Sequence, residues 1–312
     1  MNFYKFPYAT HDLRPVHTGH VTSFVYVIAL LMANFGAMPI ATSMAQGSKP
    51  IGSPTLGNGT AINATENGFR IDTDIYLDET KPPINTTQTV FLSNRVIEWD
   101  DTNQRLLIVD YQDQSIQVAD LKAQRKCKIK LGELKSRLEE LREQMTQEQV
   151  STWTSPGPAV MSEDGTLTLR CQRASYQFRT VVPFAPSMAN DYAEFADWSV
   201  RLHAVYPPYK PPLLRMQLNE HLRAKQELPS EIRLTDPRLS DTKLGDPKSV
   251  ENKQVIAKPV VARLIVQNSL NRQDHERIRD WEVLAGTLKT VTDAEYFRPS
   301  VAGNPISKGT IR

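Results

Sequence analysis

The chain has little cysteine, little histidine and almost no net charge. Two cysteines in 312 residues cannot build a disulfide-dense scaffold or a four-cysteine zinc site. Beyond residue 20 the only histidines are His203, His221 and His275, and none forms His-Glu-x-x-His. Lys and Arg number 37 against 35 Asp and Glu, a formal net charge of +2. That balance gives no general attraction to nucleic acid. Gly-x-Ser-x-Gly, Gly-x-Gly-x-x-Gly and a phosphate loop ending in Gly-Lys-Ser/Thr are all missing, which excludes the commonest hydrolase, dinucleotide and nucleoside-triphosphate sites. No repeat period is visible, and no catalytic, metal or cofactor residue is assigned.

Long apolar runs are missing too, except near the start. Lys5 and Arg14 precede the apolar stretch Phe24–Ala33, and Ser43-Met44-Ala45 follows as small-x-small. This reads as an export signal, 1–45, with cleavage before Gln46 and a periplasmic or secreted product. An uncleaved single-span anchor is the alternative, although Asn34, Gly36 and Pro39 interrupt the span. Residues 46–67 are rich in Gly, Ser, Thr and Asn and read as a flexible linker. Asn58, Asn63 and Asn85 begin Asn-x-Ser/Thr triplets, which matter only on a eukaryotic secretory route.

What remains, 40% hydrophobic and 23% charged overall, is enough for a core. From Phe69 apolar and polar residues alternate, which predicts a half-buried strand. Short β-rich segments follow at Thr89–Ser93, Arg95–Asp100, Arg105–Tyr111 and Ser115–Leu121, joined by tight polar turns. Such turns leave no room for crossover helices, so the segments form an antiparallel meander. Leu131, Leu134, Leu138, Leu141 and Met145 make one helical stripe. Residues 153–165 read as a loop, and 166–172 with 174–182 as a hairpin. Ser187 is the expected cap of a helix carrying Met188, Tyr192, Phe195, Trp198 and Leu202. A proline run at 207–212 breaks it. A helix over 213–226, a strand over 231–235, a mobile loop over 236–254 and a β-rich stretch over 255–267 follow. Asn271 with Asp274 opens a last helix, and 298–312 reads as a loose tail. The expected fold is α+β: one domain over 68–297, a curved antiparallel β-sheet, half-barrel-like, with helices packed across one face.

Candidate functional residues are few. Lys126, Lys128 and Lys130 belong to a basic stretch around Cys127 that reads as a solvated strand-to-helix connection, able to contact anionic headgroups or an acidic partner. Cys127 and Cys171 are either a disulfide, two inert thiols, or one reactive thiol lowered by its cationic surround. Trp198, Tyr206 and Tyr209 are candidates for the rim of an apolar groove. Asp72, Asp74 and Asp78 share a strand face that is either solvated or a carboxylate site, and Asp191, Glu194 and Asp197 lie in the first turns of a helix.

The order strand, meander, helix, hairpin, two helices, strand, helix, behind an export signal, resembles the periplasmic lipoprotein-carrier (LolA-like) half-barrel. The segments Phe69–Tyr76, Glu194–Trp198, Leu218–Leu222 and Leu228–Leu234 resemble a family of exported planctomycete proteins. The first resemblance implies a sheet closed by helices over a hydrophobic cavity, with lipid or a lipidated protein as partner. The second implies export and fold and nothing about mechanism. The expected function is therefore an exported, non-catalytic protein binding a hydrophobic ligand between sheet and helices. The alternative is an envelope-associated interaction protein without a small-molecule pocket.

Overall fold

The computed structural model describes residues 68–206, 213–236 and 259–298. The export signal, the linker, the proline run, nearly all of the loop read over 236–254 and all but Arg298 of the tail lie outside them. Strand β1 (Phe69–Tyr76) fulfils its alternation residue by residue: Phe69, Ile71, Thr73 and Ile75 are buried and the residues between are half-buried. On one side it pairs with β2 (Asn85–Phe91), which continues through β3 (Arg95–Asp100), β4 (Arg105–Asp110), β5 (Ser115–Asp120) and β6 (Arg125–Lys130). On the other side it pairs with β11 (Val260–Gln267), then β10 (Leu228–Thr235), β9 (Ser175–Val181), β8 (Leu167–Arg170) and β7 (Val160–Met161). A two-residue strand, β12 (Lys289–Thr290), runs parallel to β6 at the far edge; every other pairing is antiparallel. The result is the expected α+β architecture, a curved, open, twelve-stranded sheet with helices.

The meander does contain a repeat, with a period of ten residues. Asp100, Asp110 and Asp120 each accept the backbone N–H three residues on, from Asn103, Asp113 and Ala123, at 3.0, 2.8 and 2.8 Å. Gln104, Gln114 and Gln124 each take a left-handed conformation (φ 54, 48 and 50°), which turns the chain into the next strand. Six strand residues and four turn residues make one unit. The other strand residues differ from unit to unit, so the period is marked by the Asp and Gln of the turns and by the Arg that opens β3, β4 and β6.

Helix α1 (Leu131–Glu143) follows β6 directly, because the basic stretch read as a connection is itself a strand. Helix α2 (Gln147–Trp153) ends where the segment read as a loop begins, and that segment holds β7. Helix α3 (Pro186–Val205) begins one residue before the expected cap: Ala185 is the N-cap, and Pro186 opens the helix with its φ already helical. Helix α4 (Leu213–Lys225) packs against α3, and these two with α1 cover the inner face of the sheet over Phe69, Ile71, Phe91, Val109, Ile116, Phe178 and Ile232. Phe195 of α3 meets the Phe91 ring edge-on at 5.8 Å.

Helix α5 (Arg272–Thr287), opened by the expected Asn271–Asp274 capping box, lies on the opposite face. Its Ile278 and Trp281, with Leu288, form a second core with Val90, Ile97, Trp99, Leu106 and Ile108. The meander strands therefore bury both faces, while the wing from β11 to β7 has no described helix on its outer face. A short helix, α6 (Asp293–Tyr296), packs on β6 at the sheet edge.

Candidate functional site

The residues singled out from the sequence are mostly engaged in holding the fold. Lys126 donates to the carbonyl of Ala285, tying β6 to the end of α5. Lys128 pairs with the Asp113 carboxylate, and Lys130 donates to the Asp113 backbone and side-chain oxygens at 3.1 and 3.3 Å. Lys128, Ser115 and Lys130 together hold the Asp113 carboxyl down at about 2. Lys128 and Lys130 remain exposed, so the stretch is paired within the turn but still reachable.

Tyr206 is a clasp. Its hydroxyl donates to Asp293 at 2.6 Å and accepts from Arg137 at 2.6 Å, and its ring stacks on Phe297 at 4.1 Å. Arg137 also bonds Asp293 at 3.0 Å, so α1, the end of α3 and α6 meet at one knot. Burial and the carboxylate of Asp293 push the Tyr206 hydroxyl far up. Trp198 is half-buried, with the Arg201 guanidinium 4.5 Å from its ring centre. Tyr209 lies outside the described residues.

Cys127 and Cys171 are both free and buried. Cys127 sits in β6 and Cys171 follows β8, nine places apart in the strand order. Burial raises the Cys127 thiol to about 11, the reverse of an activated nucleophile, with Asp293 and Glu133 adding to the rise.

Several of the acidic candidates also have partners. Asp72 accepts from Arg70, which bridges to Asp274 of α5 at 2.7 Å, and Asp78 accepts from Thr80. Asp197 is buried between Asn219 and Arg223 of α4, which donate at 2.7 and 3.0 Å. Asn219 in turn accepts from the buried Arg215, whose other nitrogen donates to Tyr192 at 3.0 Å. This chain of bonds locks α4 to α3. His203 is buried in α3, and His221 sits edge-on to Phe178, its basicity lowered chiefly by burial. Among the described residues no three His, Cys, Asp or Glu converge on a metal position. Asn85 is buried in β2, out of reach of a glycan; Asn58 and Asn63 lie outside the described residues.

Three features were not anticipated. The first is a polar row across the inner face. Register places Thr73, Thr87, Asp100, Arg105, Asp120 and Arg125 side by side across six strands. Arg105 reaches Asp120 at 3.6 Å. At the β1–β3 end the hydroxyls of Thr73 and Thr87, Oδ1 of Asn85 and Oε1 of Glu98 are buried with no hydrogen-bond partner. Burial, then the neighbouring Asp100, pushes the Glu98 carboxyl well above its ordinary range. Each such group costs about 1–3 kcal/mol.

The second is a concavity of about 360 Å³ on the outer face of the wing, lined by Asp164, Thr168, Gln177, Arg179, Glu231 and Arg233. Arg233 grips Glu79 at 2.6 and 3.0 Å and Glu231 at 2.7 Å, and Arg263 pairs with both acids while lying 5.1 Å over the Tyr76 ring. Both signs are present, and the buried Phe178 also borders it. The third is the apolar segment after β9, with Val182 and Phe184 exposed by 84 and 83%. Four consecutive apolar residues (181–184) were a readable signal, but a run of that length also fits a buried strand. No family model matches the chain, and no curated protein matches it.

Proposed function

We propose that the chain is a non-catalytic interaction protein of the exported compartment, engaging an envelope component through the outer face of its wing. The carrying observation is the contrast between the two faces. On the inner face Phe91, Phe178, Tyr192 and Phe195 fill the layer between sheet and helices, each no more than 2% exposed. On the outer face α5 stops short of the wing, where a mixed-charge concavity and the 56% exposed Ile265 remain on view. A lipid-sized ligand would have to displace the packed rings, at roughly 3–5 kcal/mol for each buried aromatic lost. A macromolecular partner meets the wing without disturbing either core. The paired arginines suit a polar partner surface carrying both charges, because each is already oriented by a carboxylate.

A photo-crosslinking side chain at Ile265, compared with one at the exposed Asp280 on α5, tests this reading in cells of the native host. Adducts to a discrete envelope component from position 265 and none from 280 are expected, with no lipid in solvent extracts of the purified chain. Stoichiometric lipid in those extracts, with no adducts from 265, would favour a carrier with its ligand between sheet and helices.

A further inference from the structure

The concavity on the outer face of the wing is held in shape by its own polar side chains. The turn between β7 and β8 forms one wall. There Asp164 accepts from the Ser162 hydroxyl at 2.6 Å, from the Thr166 hydroxyl and backbone at 2.8 and 3.2 Å, and from Arg179 at 2.9 Å. These donors hold its carboxyl far below the ordinary range. Gly165 supplies the left-handed φ of 78° within this turn. Register lays out the rest in two rows: Thr168, Gln177 and Arg233 in one, Arg179, Glu231 and Arg263 in the next. Glu79 bonds both Arg233 and Arg263. Three arginines thus meet three carboxylates, Asp164, Glu79 and Glu231, and the site carries no net charge. Among the described residues the Gln177 amide and the Thr168 hydroxyl have no side-chain partner, and one terminal nitrogen of Arg179 stays unbonded.

We propose that this concavity binds a neutral sugar unit, the part of the envelope component that seats in the wing. The inference rests on the reading of that face as the contact surface and narrows it to a ligand chemistry. An apolar ligand has nothing to cover, since Phe178, the one apolar lining residue, is 1% exposed. An anion has to displace a carboxylate from an arginine, and a cation an arginine from a carboxylate, so either breaks as strong a bond as it makes. A hydroxyl donates and accepts at once. Neighbouring hydroxyls of a sugar ring therefore span a carboxylate lone pair and a guanidinium N–H without parting the two, and take up the free groups of Gln177, Thr168 and Arg179. The volume of about 360 Å³ lies at the lower end of the roughly 300–1,000 Å³ of small-ligand clefts, which suits a short stretch of a glycan. Side chains already fixed by one another lose little freedom when the ligand arrives.

Saturation-transfer NMR of the purified chain with cellotetraose, maltotetraose, mannotetraose and chitotetraose tests the proposal. At least one of them binds saturably, and added salt leaves its affinity unchanged, because no ion pair forms with the ligand. Gln177→Ala, at an exposed position without a side-chain partner, keeps the fold and weakens that binding about tenfold. No binding by any of these sugars, or binding that Gln177→Ala leaves intact, overturns the site. An affinity that collapses with salt overturns it too, and marks the occupant as charged. Crosslinking from Ile265 separates this inference from the reading beneath it. Adducts to an envelope component without sugar binding strike the sugar and leave the contact face; sugar binding without adducts upholds the site and strikes the envelope partner.

Discussion

Glu98 is the residue most at odds with its surroundings. It is buried on the inner face beside Asp100, with Thr89 donating to one oxygen at 3.2 Å and nothing meeting the other. Its folded carboxyl titrates above its unfolded value, so the folded state holds the proton longer and stability falls as pH rises between the two values. Glu98→Gln removes that penalty. The variant should melt several degrees above the wild type at pH 8, and the gap should close as pH drops toward 4.5, measured by circular dichroism. An unchanged gap across that range would show that Glu98 is not the titrating group. Thr73→Val and Thr87→Val should each leave the midpoint unchanged or raise it, since an unpartnered hydroxyl is replaced by a methyl of the same shape. The thiols give a third expectation at this scale. Ellman's reagent should find no reactive cysteine in the native chain and two after denaturation.

At the scale of elements, α5 makes the sharpest forecast. Trp281 and Ile278 are its main buried residues against Trp99 and Ile108, and the Asn271 capping box fixes its start. Trp281→Ala should cost about 3–5 kcal/mol, and Asn271→Ala about 1 kcal/mol, in urea denaturation. The inward stripe of this helix was readable from its spacing. Which sheet face receives it was not, because Leu106, Leu107, Ile108 and Val109 are apolar in succession and offer either face equally. That succession does mark strands buried on both sides. The candidate sites were less legible. Lys126 and Lys128 looked free in sequence because their partners, Ala285 and Asp113, lie 159 and 15 positions away. Tyr206 looked like a groove wall because its clasp depends on Asp293 and Phe297, joined to it only by the fold. The polar row escaped notice because register, not local sequence, aligns Thr73, Thr87 and Asp100.

For the whole molecule, the two cores share strands β2 to β5, one on each face. Neither can open without disturbing the backbone that supports the other. In a variant retaining only Trp99, on the outer face, and in one retaining only Trp198, on the inner, the fluorescence midpoint in urea should therefore coincide with that same variant's circular-dichroism midpoint. Separate midpoints would show that the faces unfold independently. The ten-residue unit of the meander has a different consequence, one for growth of the fold. Asp at the start of a turn and a left-handed Gln at its end return the chain so that each position of the unit changes face from one strand to the next: Val96 and Ile116 face inward, Leu106 outward. One more unit reverses the chain direction and two restore it, so duplication of a twenty-residue stretch would widen the sheet by about 10 Å without inverting its polarity. The width of this protein is thus a countable variable, and displacement of β12, which occupies the next position beside β6, is the structural condition for adding to it.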